Sequence, residues 1–459
     1  MTQAPPLPTR ALHALAVLAV AVGATAQEPR DPNRISDEYI PLQRETFPIR
    51  PQPLIELGNP FLEPGELSEP FRLPTGAIWS PTLLVWGNVR SGLSLQRRAN
   101  NKDRTVWANR LDLFAEVRFS PTERVVVGLR PLDENGVFTG YDFEAEDNLD
   151  GTNVDLRTLF FEGDLGELFP GFDPEDKHAL DWGFGVGRQP VNFQDGILIN
   201  DVMDSVTVTR NSLRFLGMSN FLATALFAWN EVNRGNAVED KNAVLFGLMT
   251  ASDFEWSYIQ IDGAVTLSSD DTRGDGGYIG IGGTQRIGDM NSTFRVNGSY
   301  AFDDNTAAVQ SGVLTTAQLS WVPHNSDDNT YLSAFWAVDE FTSAARDPTT
   351  GGPLGGMGIL FAATGLGSVG AALSSRANEV VGGAIGYQDI FDHGSQQIIY
   401  EIGGRATTKK DRPDNTIAGG VRYQTAWGRH TVLLFDTFGG YDDADHGFYG
   451  GRVEFLWKL

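Results

Sequence analysis

The sequence predicts an all-β fold, a transmembrane antiparallel β-barrel of about 18 strands, with about 16 as the other count that its turn spacing allows. Three observations predict it. The chain opens with an export signal, a period-two alternation repeats from Trp79 to the last residue, and the connections alternate between short and long.

Arg10 is the only charged residue ahead of an apolar run from Ala11 to Val22, broken by His13, and Ala24, Thr25 and Ala26 form a small-residue cut site. That order predicts a signal peptide over residues 1–26, with Gln27 at the mature N-terminus. The run is shorter than the roughly 20 residues of a membrane-spanning helix. The chain contains no cysteine, which excludes disulfides, thiolate metal sites and thiol catalysis. Its formal charge of −24 becomes −25 without Arg10. Such acidity excludes nucleic acid as a natural partner, because phosphate binding needs basic surface.

Residues 27–75 are proline-rich and aperiodic. Proline every few residues forbids a helix or a central strand, so this segment reads as a periplasmic leader, either tucked into a barrel mouth or a disordered spacer. The barrel is expected over residues 76–459. Between Thr105 and Phe119, Trp107, Leu111, Leu113, Ala115, Val117 and Phe119 share one face, and Arg110, Asp112, Glu116 and Arg118 the other. A strand built this way separates lipid from water.

The connections carry the same message. Short turns are expected at 120–123, 217–220, 287–291, 391–395 and 427–430, and long polar loops at 132–153, 231–242, 341–378 and 439–446. Short turns on the periplasmic side and long loops outside are the asymmetry of outer-membrane barrels. The link 166–179 is longer than this scheme expects. The last segment, HGFYGGRVEFLWKL, sets Tyr449, Val453, Phe455, Trp457 and Leu459 against Arg452, Glu454 and Lys458. It resembles the terminal strand read by the barrel-assembly machinery, with Leu459 where phenylalanine is usual. Trp79, Trp321, Tyr423 and Trp427 fit an interfacial aromatic girdle.

From Gly183 to Gly217 the chain reads GFGVGRQPVNFQDGILINDVMDSVTVTRNSLRFLG. Its VGRQP, DGIL and TVTR segments resemble the alginate-export family and related substrate-specific porins. The resemblance covers 35 residues. It implies a G-R-Q strand leading into a loop that folds toward the lumen, a basic next strand, and diffusion of small polar, anionic or sugar-acid solutes. The residues themselves predict that Pro190 stops a strand. They also predict that the apolar stretch 191–203 folds into the barrel mouth, bringing Asp195, Asp201 and Asp204 near Arg188, Arg210 and Arg214. Those charges either face solute or anchor the loop by salt bridges. The uncharged, glycine-rich run within 342–378 is unsuited to water; plugging the lumen, packing on a neighbouring subunit and embedding in lipid are its three outlets.

Strand parity puts Arg90, Arg110, Arg118, Arg295, Arg405, Arg422 and Arg452 in the lumen, facing Asp112, Glu116, Asp262, Glu401, Asp436 and Glu454. The passage is therefore balanced or slightly basic, and arginine rings favour anions. The candidate solute-binding residues are Arg188, Asp195, Asp201, Asp204, Arg210, Arg214, Arg110 and Arg118. No cofactor or metal is expected; Asp442, Asp443 and Asp445 read as solvated loop charge rather than a calcium loop. The expected partners are the lipid bilayer, the barrel-assembly machinery and small polar solutes, with oligomers open. Two other functions stay open: a structural or surface-binding barrel without a channel, and a rim enzyme using His446 beside those acids, although no nucleophile motif accompanies it.

Overall fold

The structure is a computed structural model that describes residues 51–59, 69–98, 103–134, 136–175, 177–270, 272–303, 306–367, 369–409, 415–443 and 446–459. The expected signal peptide, most of the leader and Asp445 lie outside the described residues. Eighteen strands form the wall. They are β1 (Thr82–Arg98), β2 (Arg104–Arg118), β3 (Arg124–Leu129), β4 (Leu156–Asp164), β5 (Trp182–Phe193), β6 (Ile199–Leu213), β7 (Asn220–Asn230), β8 (Ala243–Asp253) and β9 (Ser257–Ser268). The rest are β10 (Gly276–Ile287), β11 (Met290–Ala301), β12 (Gly312–Trp321), β13 (Asn329–Glu340), β14 (Asn378–Phe391), β15 (Gln396–Thr407), β16 (Thr416–Trp427), β17 (Thr431–Asp442) and β18 (His446–Lys458). Each pairs antiparallel with the next, and β18 closes on β1 from Phe448↔Arg98 to Lys458↔Asn88. Closure leaves no open edge around the wall, which is the condition for a sheet to cross lipid.

Burial runs opposite to that of a water-soluble domain. Trp336 and Ile402 are 55% and 61% exposed, while Glu401 and Glu454, on the other face, are 2% and 3% exposed. Phe246, Ile281, Phe294, Ile385 and Val453 are likewise exposed. Apolar groups outside and buried charges inside fit a lipid-facing wall around a polar interior. The inward face is not polar throughout, however. Leu226, Leu245, Met249, Leu314 and Phe335 point inward and are buried, because two connections fold into the lumen and pack on them.

Several boundaries differ from the sequence reading. Pro190 does not stop β5, which continues to Phe193 with Pro190 opposite Val202. β4 pairs with β5 only as far as Arg188, so beyond it β5 has a free side, where proline's missing donor is tolerated. β6 accordingly starts at Ile199, inside the stretch 191–203 expected to be loop, and 194–198 is a tight hairpin tip. The 132–153 connection is structured: Val137–Asp142 pairs with β2 beyond the end of short β3. The long link after β4 is folded by α1 (Leu165–Leu168), whose first amides are accepted by Asp164. In the leader, Ile55–Leu57 pairs with β1 at Leu83–Val85, just past the reach of β18. That is an edge position, which a proline-rich segment can supply. Residues 71–79 form a small hairpin, with Trp79 stacked on Phe119 at 4.4 Å.

Candidate functional site in the lumen

Two connections narrow the lumen. The first is the β5–β6 hairpin tip. Leu198, Ile199 and Met203 are fully buried, and Ile197 nearly so, which gives the apolar 191–203 stretch the cover that the sequence demanded. At the tip, Gln194 donates from Nε2 to Asp262 Oδ2 at 2.7 Å, and Asp195 accepts a salt bridge from Arg295 at 2.7 Å. Acceptor and donor lie further round the wall, on β9 and β11.

The second is the β13–β14 connection, residues 341–377. It runs beside the hairpin as a parallel bridge, Ile199↔Ala345 and Asn200↔Arg346. Arg346 locks the two together. Its Nη2 donates to the carbonyls of Gly196 and Ile197, its Nη1 to Gly351 O at 3.1 Å, and its Nε to Ser343 Oγ at 3.0 Å. Burial pushes the Arg346 guanidinium down to about 10, still cationic at neutral pH. Arg157 and Asp347 add an ion pair. Of the three outlets for the glycine-rich run, the lumen is the one taken: Leu354, Phe361 and Leu373 are fully buried against Phe335, Val380 and Ala384.

The wall is shaped to receive this connection. A Cβ at Gly92 would lie 2.8 Å from Leu366 Cδ2, and one at Gly420 would lie 2.7 Å from Leu360 Cδ2. Each glycine thus opens a socket for one leucine. Glu401 fixes the segment between them, accepting from the amides of Ile359 and Leu360 at 2.8 Å each and from the Tyr331 hydroxyl.

Arginines gather where the segment crosses β1, β2 and β18. Arg90 stands opposite Arg110 in register. Arg90 donates to Glu454 at 2.6 and 3.0 Å, Arg110 to Asp112 at 2.8 and 3.1 Å, and Arg422 to Asp436 at 2.7 and 3.1 Å. Arg452 donates to Asp436 at 2.7 Å and lies 3.1 Å from Glu454. Arg130 pairs with Asp112 and Asp133. Five guanidiniums therefore share four carboxylates, Asp112, Asp133, Asp436 and Glu454. What is left over goes to backbone. Arg90, Arg110 and Arg452 donate to the carbonyls of Thr364 and Gly365 at 3.0 to 3.2 Å.

Three spaces follow one another along this wall. A cavity of about 810 Å³ opens on the long-loop side, lined by Arg98, Glu340, Arg376 and Gly370–Ala372 among others. A neck of about 40 Å³ lies between the segment and Arg422, Asp436 and Arg452, sharing Gly370, Ala371 and Ala372 with the outer cavity. A space of about 380 Å³ beyond it shares Ile359 and Ala362 with the neck.

The predicted residues meet in part. Arg188 and Asp204 form a two-bond pair at 2.8 and 3.1 Å, and Arg188 also reaches Glu231 at 3.0 Å. Asp201 is buried and accepts from the amide and side chain of Asn233 at 2.7 and 2.8 Å. Arg210 and Arg214 do not join them. β6 is long enough to carry both to the short-turn end, where Arg210 donates to the His178 and Asp181 carbonyls and lies over Trp182, and Arg214 is exposed. Arg110 donates to the Gly365 carbonyl at 3.0 Å, whereas Arg118 pairs with Glu116 at 2.6 Å toward the short-turn mouth. His446 stacks on Tyr441. Sequence reasoning missed the carbonyls of Thr364 and Gly365, and no side-chain pattern announces a backbone acceptor.

No protein-family profile matches the sequence, and no curated protein matches it. Solved structures do. OccK9 (OpdG) of Pseudomonas aeruginosa matches with a TM-score of 0.56 at 10% identity, over 82% of this chain and 98% of that one. OccK2 (OpdF) of the same organism, solved in complex with glucuronate, matches at 0.55 and 10% identity, over 82% and 98%. OccAB3 of Acinetobacter baumannii matches at 0.54 and 7% identity, over 82% and 99%. This chain shares the 18-strand barrel fold of these substrate-specific outer-membrane porins.

Proposed function

We propose that the chain is an outer-membrane channel for small polar solutes, with a preference for anions of sugar-acid size. The observation that carries this reading is the group of Arg90, Arg110, Arg422 and Arg452 on one side of the lumen, where with Arg130 five guanidiniums share four carboxylates. Arginine recognises a carboxylate through two parallel N–H donors, and a basic lining favours anions. The glucuronate complex of OccK2 (OpdF) fits the same solute class. The two-bond contact between Arg188 and Asp204 supports an anchoring role for that pair, and the 66% exposed Asp195 side chain supports a solute-facing one.

The membrane arrangement completes the proposal. Residues 1–26 serve as an export signal, residues 27–75 as a periplasmic leader, and the strand ending in Trp457 and Leu459 as the piece read by the barrel-assembly machinery. Reversal potentials in a planar bilayer under a potassium chloride gradient test the charge preference. Chloride-favouring selectivity is expected, and clear cation selectivity overturns it. A second reading, a barrel with no open channel, is favoured by the two connections that fold into the lumen; a complete absence of stable conductance would establish it.

A further inference from the structure

A neck of about 40 Å³ holds little more than one water, whose share of the liquid is about 30 Å³. The segment Gly358–Gly367 forms one side of this neck, and what holds it there has a particular character. Thr364 and Gly365 present two carbonyl oxygens to Arg90, Arg110 and Arg452 through four N–H···O contacts of 3.0 to 3.2 Å. Two oxygens held by converging guanidiniums are what a carboxylate supplies, but here the acceptors are neutral. A hydrogen bond to a charged acceptor is roughly twice as strong as one to a neutral acceptor. The guanidinium excess over carboxylates leaves the position favourable for an added negative charge.

We propose that these three arginines form a carboxylate-binding site which the carbonyls of Thr364 and Gly365 fill in the resting state, so that an arriving carboxylate displaces the segment and widens the neck. This rests on the transport reading above and adds to it a solute-operated gate. The segment is built as a separable piece. Its wall contacts include Leu360 and Leu366, each in a socket opened by a glycine, and Phe361 edge-on to Phe335 at the Glu401 end, with the carbonyls between the sockets facing the arginines. Glu401 holds the amides of Ile359 and Leu360, which leaves the Leu366 end as the part that lifts.

The chain has no cysteine, so one introduced thiol reports alone. Ala108 is 2% exposed beneath the segment at Gly367, and Ala108→Cys in the full barrel, reconstituted in liposomes, reacts with a water-soluble thiol reagent only when the segment lifts. Sodium glucuronate is expected to speed labelling by about tenfold over sodium chloride of equal ionic strength, as replacing neutral by charged acceptors implies, and glucose is expected to leave it unchanged. Equal labelling in glucuronate and chloride overturns the gate. A second variant adds a cysteine on the segment. A Cβ at Gly367 would lie 3.2 Å from Ala108 Cβ, a few tenths of an ångström inside disulfide spacing, at a backbone φ of +75° that a cysteine adopts only under strain, so Ala108→Cys with Gly367→Cys ties the segment down when oxidised if the segment gives by that amount. Glucuronate entry should stop on oxidation and return on reduction; equal entry in both states overturns the gate. Faster labelling without any glucuronate entry would sink the transport reading and leave the displaceable segment standing. Entry with unchanged labelling would do the reverse.

Discussion

Leu366→Ala should loosen the constriction without weakening the barrel. Leu366 is 1% exposed and packs with Val106, Ala108, Phe138 and Val369 over the socket at Gly92. That socket is part of a hydrogen-bonded wall, so it has little freedom to collapse around a smaller side chain. Truncating a leucine in such a place costs about 3 kcal/mol, lost transfer energy and cavity together. The loss falls on docking of the segment rather than on strand pairing, because no strand bond involves Leu366. At about 1.4 kcal/mol per decade, the undocked segment becomes about a hundredfold more frequent. Single-channel recording in a planar bilayer reads this as longer or more frequent openings, while heat-modifiable migration on a gel reports an intact barrel. Gly92→Val perturbs the same contact from the wall, since a Cβ there already stands 2.8 Å from Leu366 Cδ2, and should give the same phenotype. An intact barrel whose openings match wild type in both variants would refute the docking argument.

Asp436→Asn frees Arg422 and Arg452 from a shared carboxylate; an added net charge is worth about 1 kcal/mol at contact distance in water, so the anion-to-cation permeability ratio should rise about fivefold by reversal potential. Arg188→Ala should lower the unfolding temperature of the barrel and leave selectivity alone, because Asp204 and Glu231 occupy its donors; Asp195→Asn should shift selectivity toward anions with little effect on stability, and the opposite pattern would exchange their roles. In the link after β4, the amides of Lys177 and Ala179 hold the Asp173 carboxyl below its ordinary range. That contribution is present above the ordinary carboxylate pKa and is lost as pH falls through the lowered one, so amide exchange at Lys177 and Ala179 should quicken only in that acidic window.

The wall was legible in the sequence because a strand states its own two faces. Trp107 to Phe119 against Arg110 to Arg118 required no knowledge of neighbours, and the connection lengths supplied the direction of each strand. Pro190 misled because a proline reports a missing donor but not whether that side of the strand is free; the answer lay in β4, which stops pairing opposite Arg188. The destination of 341–377 was open for a similar reason. Its apolar, glycine-rich composition demanded cover, but the sockets that provide it belong to Gly92 and Gly420 on distant strands. Arg422 and Asp436 were both readable as lumen residues, and register alone makes them a pair. Arg210 was read as a loop partner of the acids because it follows them closely in sequence. It lies near the far end of a fifteen-residue extended strand, which carries it away from the loop.

Uptake by proteoliposomes tests the central claim most directly. Vesicles containing the full barrel are given glucuronate or glucose, solutes of similar size that differ in charge. Faster glucuronate entry, reduced when Arg90 and Arg110 are both replaced by glutamine in a barrel that still migrates as folded, is the predicted result. Equal entry of the two solutes, or a glucuronate rate untouched by those substitutions, would contradict it.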